Sequence, residues 1–325
     1  MTDQSKYPLG KAPRRDDVRT LRLARYLTPA LPVPASSVNW TLGVTDWGMM
    51  LNDCLGCCTI AAVGHAVQTW RLNAGGLAGT NTPLSQLPTS GSLLTIPDAT
   101  VLEYYQHWDG YDPAKPDSDQ GGVELDVLKN WRHEGFDGHT LEAFVEIGLR
   151  AAAPTPGGAQ EPRQRVPPGQ SPALSSQTPA PPQEIATAIW LFGGAYIGVE
   201  LPIRAQTQDV WDVVGDAGME DEPGSWGGHA VYLVGYESAN SRGAGPATAS
   251  RNTGAGNAPA TTGMGNRGSL TCITWGQQKK MTWAWFDKYC SEAYALISKD
   301  WIKASGLAPC GFDLEALEND LKLVK

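Results

Sequence analysis

The chain has 325 residues, 41% of them hydrophobic, which is enough to bury a full core in one large domain or in two lobes. Its formal charge of -9 and isoelectric point near 5.1 argue against nucleic acid or an anionic membrane as the main partner, because both reward clustered Lys and Arg. No stretch approaches the roughly 20 apolar residues of a membrane span, and the first residues lack the apolar core of a secretory signal, so a soluble cytoplasmic protein is expected.

In chain order, residues 1–35 form an N-terminal extension, and residues 36–152 carry helical spacing. The apolar periodicity predicts helices over "CTIAAVGHAVQTWRL" (58–72), "DATVLEYYQHW" (98–108) and "ELDVLKNWRHEG" (124–135), with Asp98 placed as an N-cap. Residues 153–183 are rich in Pro, Gly, Ser and Ala and read as a disordered insertion.

A further helix, "PQEIATAIWLF", leads into alternating runs that predict strands over "AYIGVEL" (195–201), "HAVYLVGYE" (229–237) and "LTCITWG" (270–276). A second low-complexity stretch, 238–268, interrupts this sheet part, which spans 184–303; neither insertion is expected to be needed for folding. In 304–325, "FDLEALENDLKLV" puts Leu314, Leu317 and Leu321 on one helical stripe that docks the chain end. The pattern predicts an α+β protein: a helical lobe, an antiparallel β lobe, and a cleft between them.

Six cysteines, Cys54, Cys57, Cys58, Cys272, Cys290 and Cys310, are too few and too unevenly spaced for a disulfide framework, so free thiols are the default. Zinc binding by "CLGCC" would require a second ligand cluster, which the distant Cys272 and Cys290 do not supply; no metal and no cofactor is expected.

"GCCTIAAVGH" holds cysteines and a histidine in one helical pattern. His65 lies seven residues beyond Cys58, roughly 10 Å along the axis, so it cannot act as base for Cys58 and reads as a core or cleft-lining residue of an amphipathic helix. His107, His133 and His139 read as surface or loop residues. His229, in "GSWGGHAVYLVGYE", is the best base candidate: Gly227 and Gly228 let the backbone turn, or a substrate pass close, just before the strand. On the residues alone, a histidine capping a strand edge is the favoured reading.

Taken together, "VNWTLGVTDWGMMLNDCLGCCTIAAVGH" and "GGHAVYLVGYE" resemble the signature regions of papain-like cysteine peptidases, over roughly residues 36 to 300. In that family His and Asn follow the cysteine motif by about 130–150 residues. Cys58 and His229 are 171 apart, and removing the 31 residues of the first insertion leaves 140.

The resemblance implies a papain-like two-lobe fold and a peptide or protein substrate, with Cys58 as nucleophile, His229 as base and Asn52, in place of the family's Gln, as an oxyanion donor. It places Gly121, Gly122, Gly228 and Trp275 along the substrate cleft. It puts Asp119 where the family has a cysteine that would pair with Cys54, so that disulfide is absent.

At the family's third catalytic position, normally Asn, the register puts Ile273, with Thr274 expected on the opposite face of the strand. The implied function is hydrolysis of a peptide or amide bond. Acyl transfer to an amine, and a silent scaffold that binds peptides or serves as a structural protein, remain as alternatives. Only about 35 residues precede "VNW", so a large helical prosegment is not expected, although these residues can pack across a lobe.

Overall fold

A computed structural model describes residues 7–42, 44–73, 96–149, 181–215, 218–238, 268–299, 301–302 and 311–324. The predicted insertions, with Cys310 and most of 304–325 before the last helix, fall largely outside the described residues; residues 181–183 belong to a helix.

The helices are α1 (Cys58–Asn73), α2 (Asp98–Asp109), α3 (Glu124–Glu134), α4 (Pro181–Phe192), α5 (Trp283–Tyr289) and α6 (Leu314–Leu323). The strands are β1 (Ser37–Asn39), β2 (Leu141–Glu146), β3 (Ala195–Leu201), β4 (Val210–Trp211), β5 (Gly227–Glu237), β6 (Ser269–Thr274), β7 (Gln277–Thr282) and β8 (Cys290–Ser298). They form one sheet in the order β2-β8-β3-β5-β6-β7-β4, with β1 beside the far end of β5. Every pairing is antiparallel except that of β4 with β7.

Two apolar clusters form on the two faces of this sheet, because side chains alternate along a strand. Val231 and Leu233 of β5 join Leu270 and Cys272 of β6 in a core covered by α4, α5 and α6. Ala230, Tyr232 and Val234 join Ile273 in a second core covered by α1, α2 and α3. The α+β architecture, with the cysteine on the helical side and the histidine on the sheet, is observed.

Three local expectations are corrected. Pro97 rather than Asp98 is the N-cap of α2, so Asp98 stands in the first turn, where its charge complements the helix dipole. Helix α1 is not amphipathic: every residue from Cys58 to Trp70 is buried, since the sheet and the other helices enclose it. Within the expected helical segment 36–152, "LEAFVE" forms β2 and pairs with β8; its strict alternation of buried and half-buried residues is a strand signal.

Candidate active site

Cys58 is the first residue of α1, where the helix dipole favours a thiolate. Its predecessor Cys57 turns inward and donates to Met50 O at 3.3 Å, so the two thiols diverge. Asp119 holds the approach loop: it accepts from Gly56 N at 3.0 Å and from the Tyr105 hydroxyl on α2. A carboxylate thus ties loop to helix at the position where the family resemblance had a disulfide, and Cys54 is free and exposed.

The Cys58 sulfur is buried and accepts from Ala230 N at 3.4 Å, the residue after His229. Burial pushes the thiol up to about 12, against the pull of the Ala230 and Gly10 N–H groups. His229 is also buried, and desolvation, with a smaller contribution from His65, pushes it down to about 3. Both groups are therefore neutral near pH 7. No hydrogen bond joins them, and His229 Nδ1 has no partner.

The other side of the imidazole is firmly held. Nε2 lies 2.7 Å from Thr274 Oγ1, and the ring stacks on Trp275 at 4.5 Å and 16°. This corrects the expectation for the third position. Ile273 and Thr274 do lie on opposite faces, but Ile273 faces the helical core with Tyr232, whereas Thr274 shares the face of His229. The strand ends at Thr274, and Trp275 (φ 47°) and Gly276 (φ 70°) make the turn to β7.

Asn52 is buried and donates its side-chain amide to Leu55 O at 3.4 Å, so it braces its own loop. His65 is a core residue bonded through Nδ1 to Gln68 Oε1 at 2.9 Å. His107 and His133 are exposed, and His139 lies in a turn bonded by Arg71.

The groove above Cys58 is filled by the chain's own residues 9–12. Gly122 N donates to Gly10 O at 2.7 Å, Ala12 N to Gly122 O at 2.9 Å, and Lys11 N to Gly228 O at 3.1 Å. Gly122 and Gly228 thus bind main chain, with Gly121 at φ 74° bringing the backbone close enough. A Cβ on Gly121 would lie 1.9 Å from Gly10 O, and one on Gly228 would lie 2.4 Å from Lys11 O. The expectation that the extension could pack across a lobe understated its reach, since it passes between helical layer and sheet.

Sequence reasoning missed Gly10, Lys11, Glu124, Glu200 and Glu292. The Leu-Gly-Lys run at 9–11 carries no local signal, and three glutamates on α3, β3 and β8 meet only through the fold. No helix among the described residues is long and apolar enough to cross a membrane, and no group of three or more His, Cys, Asp or Glu among them is arranged to hold a metal ion.

No family model matches the chain, and no curated protein matches it. Among solved structures it is similar to xylellain, a cysteine protease from Xylella fastidiosa, at 11% identity and TM-score 0.48, covering 90% of this chain and 96% of that one. It is also similar to the ragweed pollen cysteine protease Amb a 11 in its proform, at 12% identity and TM-score 0.42, over 83% and 68%. A third is procathepsin B from Trypanosoma congolense, at 7% identity and TM-score 0.46, over 91% and 88%. TM-scores below 0.5 leave the site's chemistry to be read from its own residues.

Proposed function

We propose that this chain is a papain-like thiol hydrolase that cleaves a peptide or amide bond through Cys58 and His229, and that residues 9–12 cover the thiol in the resting form. The observation that carries this reading is the placement of a helix-N-terminal thiol against Ala230 N, the backbone next to His229, whose imidazole is bonded at Nε2 and unpartnered at Nδ1. A base needs one nitrogen fixed and the other free.

With the strap lifted, water reaches the groove and the desolvation that keeps both groups neutral is relieved, so the proton moves from Cys58 to His229 Nδ1. The thiolate attacks the substrate carbonyl carbon, and a C–S bond forms as the carbonyl π pair moves to oxygen. In this reading the Cys58 N–H at the start of α1 and a reoriented Asn52 amide donate to the resulting oxyanion.

When the carbonyl reforms, the C–N bond breaks and His229 gives its proton to the departing amine. Water, deprotonated by His229, then displaces the thiolate from the thioester and releases the acid. An amine in place of water would make the second half an acyl transfer. Thr274 and Trp275 act as positioning residues for the ring.

A silent peptide-binding or structural scaffold is the second reading, favoured by the missing Cys58–His229 hydrogen bond. Stoichiometric labelling of the native chain with a cysteine-directed epoxide near neutral pH, mapped by mass spectrometry, tests both. Labelling of Cys58 that disappears in His229→Ala, with loss of peptide hydrolysis in Cys58→Ala, supports the hydrolase. Labelling of Cys58 no faster than that of the exposed Cys54, in a chain whose strap has been displaced, would leave the scaffold.

A further inference from the structure

The side chain of Lys11 leaves the groove and enters a pocket of carboxylates, where the residue is only 6% exposed although Glu200 is a third exposed. Its Nζ lies 3.0 Å from Glu200 Oε1, and 3.1 Å from Glu292 Oε1 as an ion pair without hydrogen-bond alignment. Glu124 completes the cluster. Glu200 is on β3, Glu292 on the adjacent β8, and Glu124 is the first residue of α3, so the pocket straddles sheet and helical layer.

Gly198, paired with Glu292 across the sheet, provides the space. A Cβ there would lie 2.1 Å from Lys11 Cε, 2.8 Å from Glu124 Oε1 and 2.8 Å from Glu292 Cγ.

The carboxylates are unequally satisfied. Tyr294 donates to Glu292 at 3.0 Å and Ser291 to Glu200 at 3.1 Å, but both oxygens of the wholly buried Glu124 lack any hydrogen bond. Burial, with Glu292 adding to it, pushes the Glu124 carboxyl well above its ordinary range and Lys11 pulls it down, so a cation in this pocket is what favours its charged form. Burial opposes the charge on Lys11, yet Glu124, Glu292 and Glu200 more than offset it and hold the ammonium above its ordinary range.

The rest of the strap is held differently. Gly122 and Gly228 bond its main chain, as they would any extended peptide, and the apolar side chain of Leu9 packs against the core. Selection among peptides by charge then falls on the side chain entering the pocket, and the neighbouring residue, Gly10 in the strap, is the one lying against the Cys58 sulfur.

We propose that, once the strap is displaced, the pocket formed by Glu124, Glu200, Glu292 and Gly198 is the specificity site for substrate and takes a lysine or arginine side chain. The substrate is accordingly an extended peptide with a basic residue beside the residue whose carbonyl is attacked. The cleavage half of this statement rests on the thiol-hydrolase reading above, whereas the binding half does not.

The test uses the full-length chain carrying Gly10→Ala and Lys11→Ala, which unseats the strap and empties the pocket. Acetyl-Leu-Gly-Lys-Ala-amide and its Arg, norleucine and Glu counterparts are compared as protectors of Cys58 against iodoacetamide. A set of otherwise identical longer peptides varied at one central position is scored for cleavage by mass spectrometry.

The Lys and Arg peptides should protect at concentrations lower by about tenfold or more than norleucine, and Glu should not protect. Glu292→Gln should erase that preference. Gly198→Ala, which fills the pocket without changing its charge, should weaken the Lys peptide and keeps the test open if Glu292→Gln does not fold. Equal protection by Lys and norleucine, or a Lys preference that survives both variants, overturns the proposal. Charge-selective protection without cleavage supports the pocket and removes the hydrolase; cleavage indifferent to the varied residue does the reverse.

Discussion

Gly10→Ala probes the covered resting form most directly. A Cβ on Gly10 would lie 1.6 Å from Gly56 O, 2.2 Å from its carbonyl carbon and 2.6 Å from its Cα. These are backbone atoms of a loop tied down by Asp119, so the loop does not yield and the strap must rise. Rising breaks the three main-chain hydrogen bonds at 2.7, 2.9 and 3.1 Å. At about 1 kcal/mol net for each, seating weakens by about 3 kcal/mol, roughly two orders of magnitude in the uncovered population.

The assay is the rate of Cys58 alkylation by iodoacetamide in native full-length protein, read by mass spectrometry. Cys58 in Gly10→Ala should react about a hundredfold faster than in the unaltered chain. Cys57, whose thiol points to Met50 O, and Cys272, in the core of the sheet, should stay slow. An unchanged Cys58 rate would refute a seated strap, and equal acceleration at Cys57 and Cys272 would mean general loosening.

Two other substitutions examine the histidines. Thr274→Val keeps the shape of the side chain but removes the 2.7 Å partner of His229 Nε2, leaving a buried nitrogen unpaired. It should cost about 1–3 kcal/mol in urea unfolding and lower peptide hydrolysis in the Gly10→Ala background, and wild-type values of both would remove Thr274 from its positioning role.

For His65, burial lowers the pKa from 6.5 to about 4, so below pH 6.5 the unfolded chain takes a proton that the folded chain refuses. The stability is fully present above 6.5 and falls toward pH 4 by about 1.4 kcal/mol per unit, about 3 kcal/mol in all. The His65→Gln chain should lack this component, and stability curves that run parallel across the window would contradict the assignment.

Much of the frame was legible because local pattern and fold agreed. Strand β3 matches its predicted bounds of 195–201, and α1 begins at Cys58 where the cysteine motif placed it. Helix geometry alone separated His65 from Cys58, and His65 is bonded to Gln68 instead. Short strands such as β4 and β1, of two and three residues, carry too little periodicity to be read and exist only because longer neighbours pair with them.

The third position shows why alternation needs a reference. The sequence correctly put Ile273 and Thr274 on opposite faces, but which face looks toward His229 depends on how β5 and β6 align, with Tyr232 opposite Ile273.

The sequence by itself determined an α+β chain with a thiol at a helix start and a histidine at a strand start, because period, punctuation and spacing are local properties. Only the tertiary structure decided what surrounds them. It placed Thr274 on the imidazole, Asp119 in the role of a tie, and residues 9–12 in the groove. It also brought Glu124, Glu200 and Glu292 around Lys11, whose positions in the chain are 281 residues apart at most, counting from 11 to 292. Charges this distant in sequence have no common pattern, and only burial gives them a common partner.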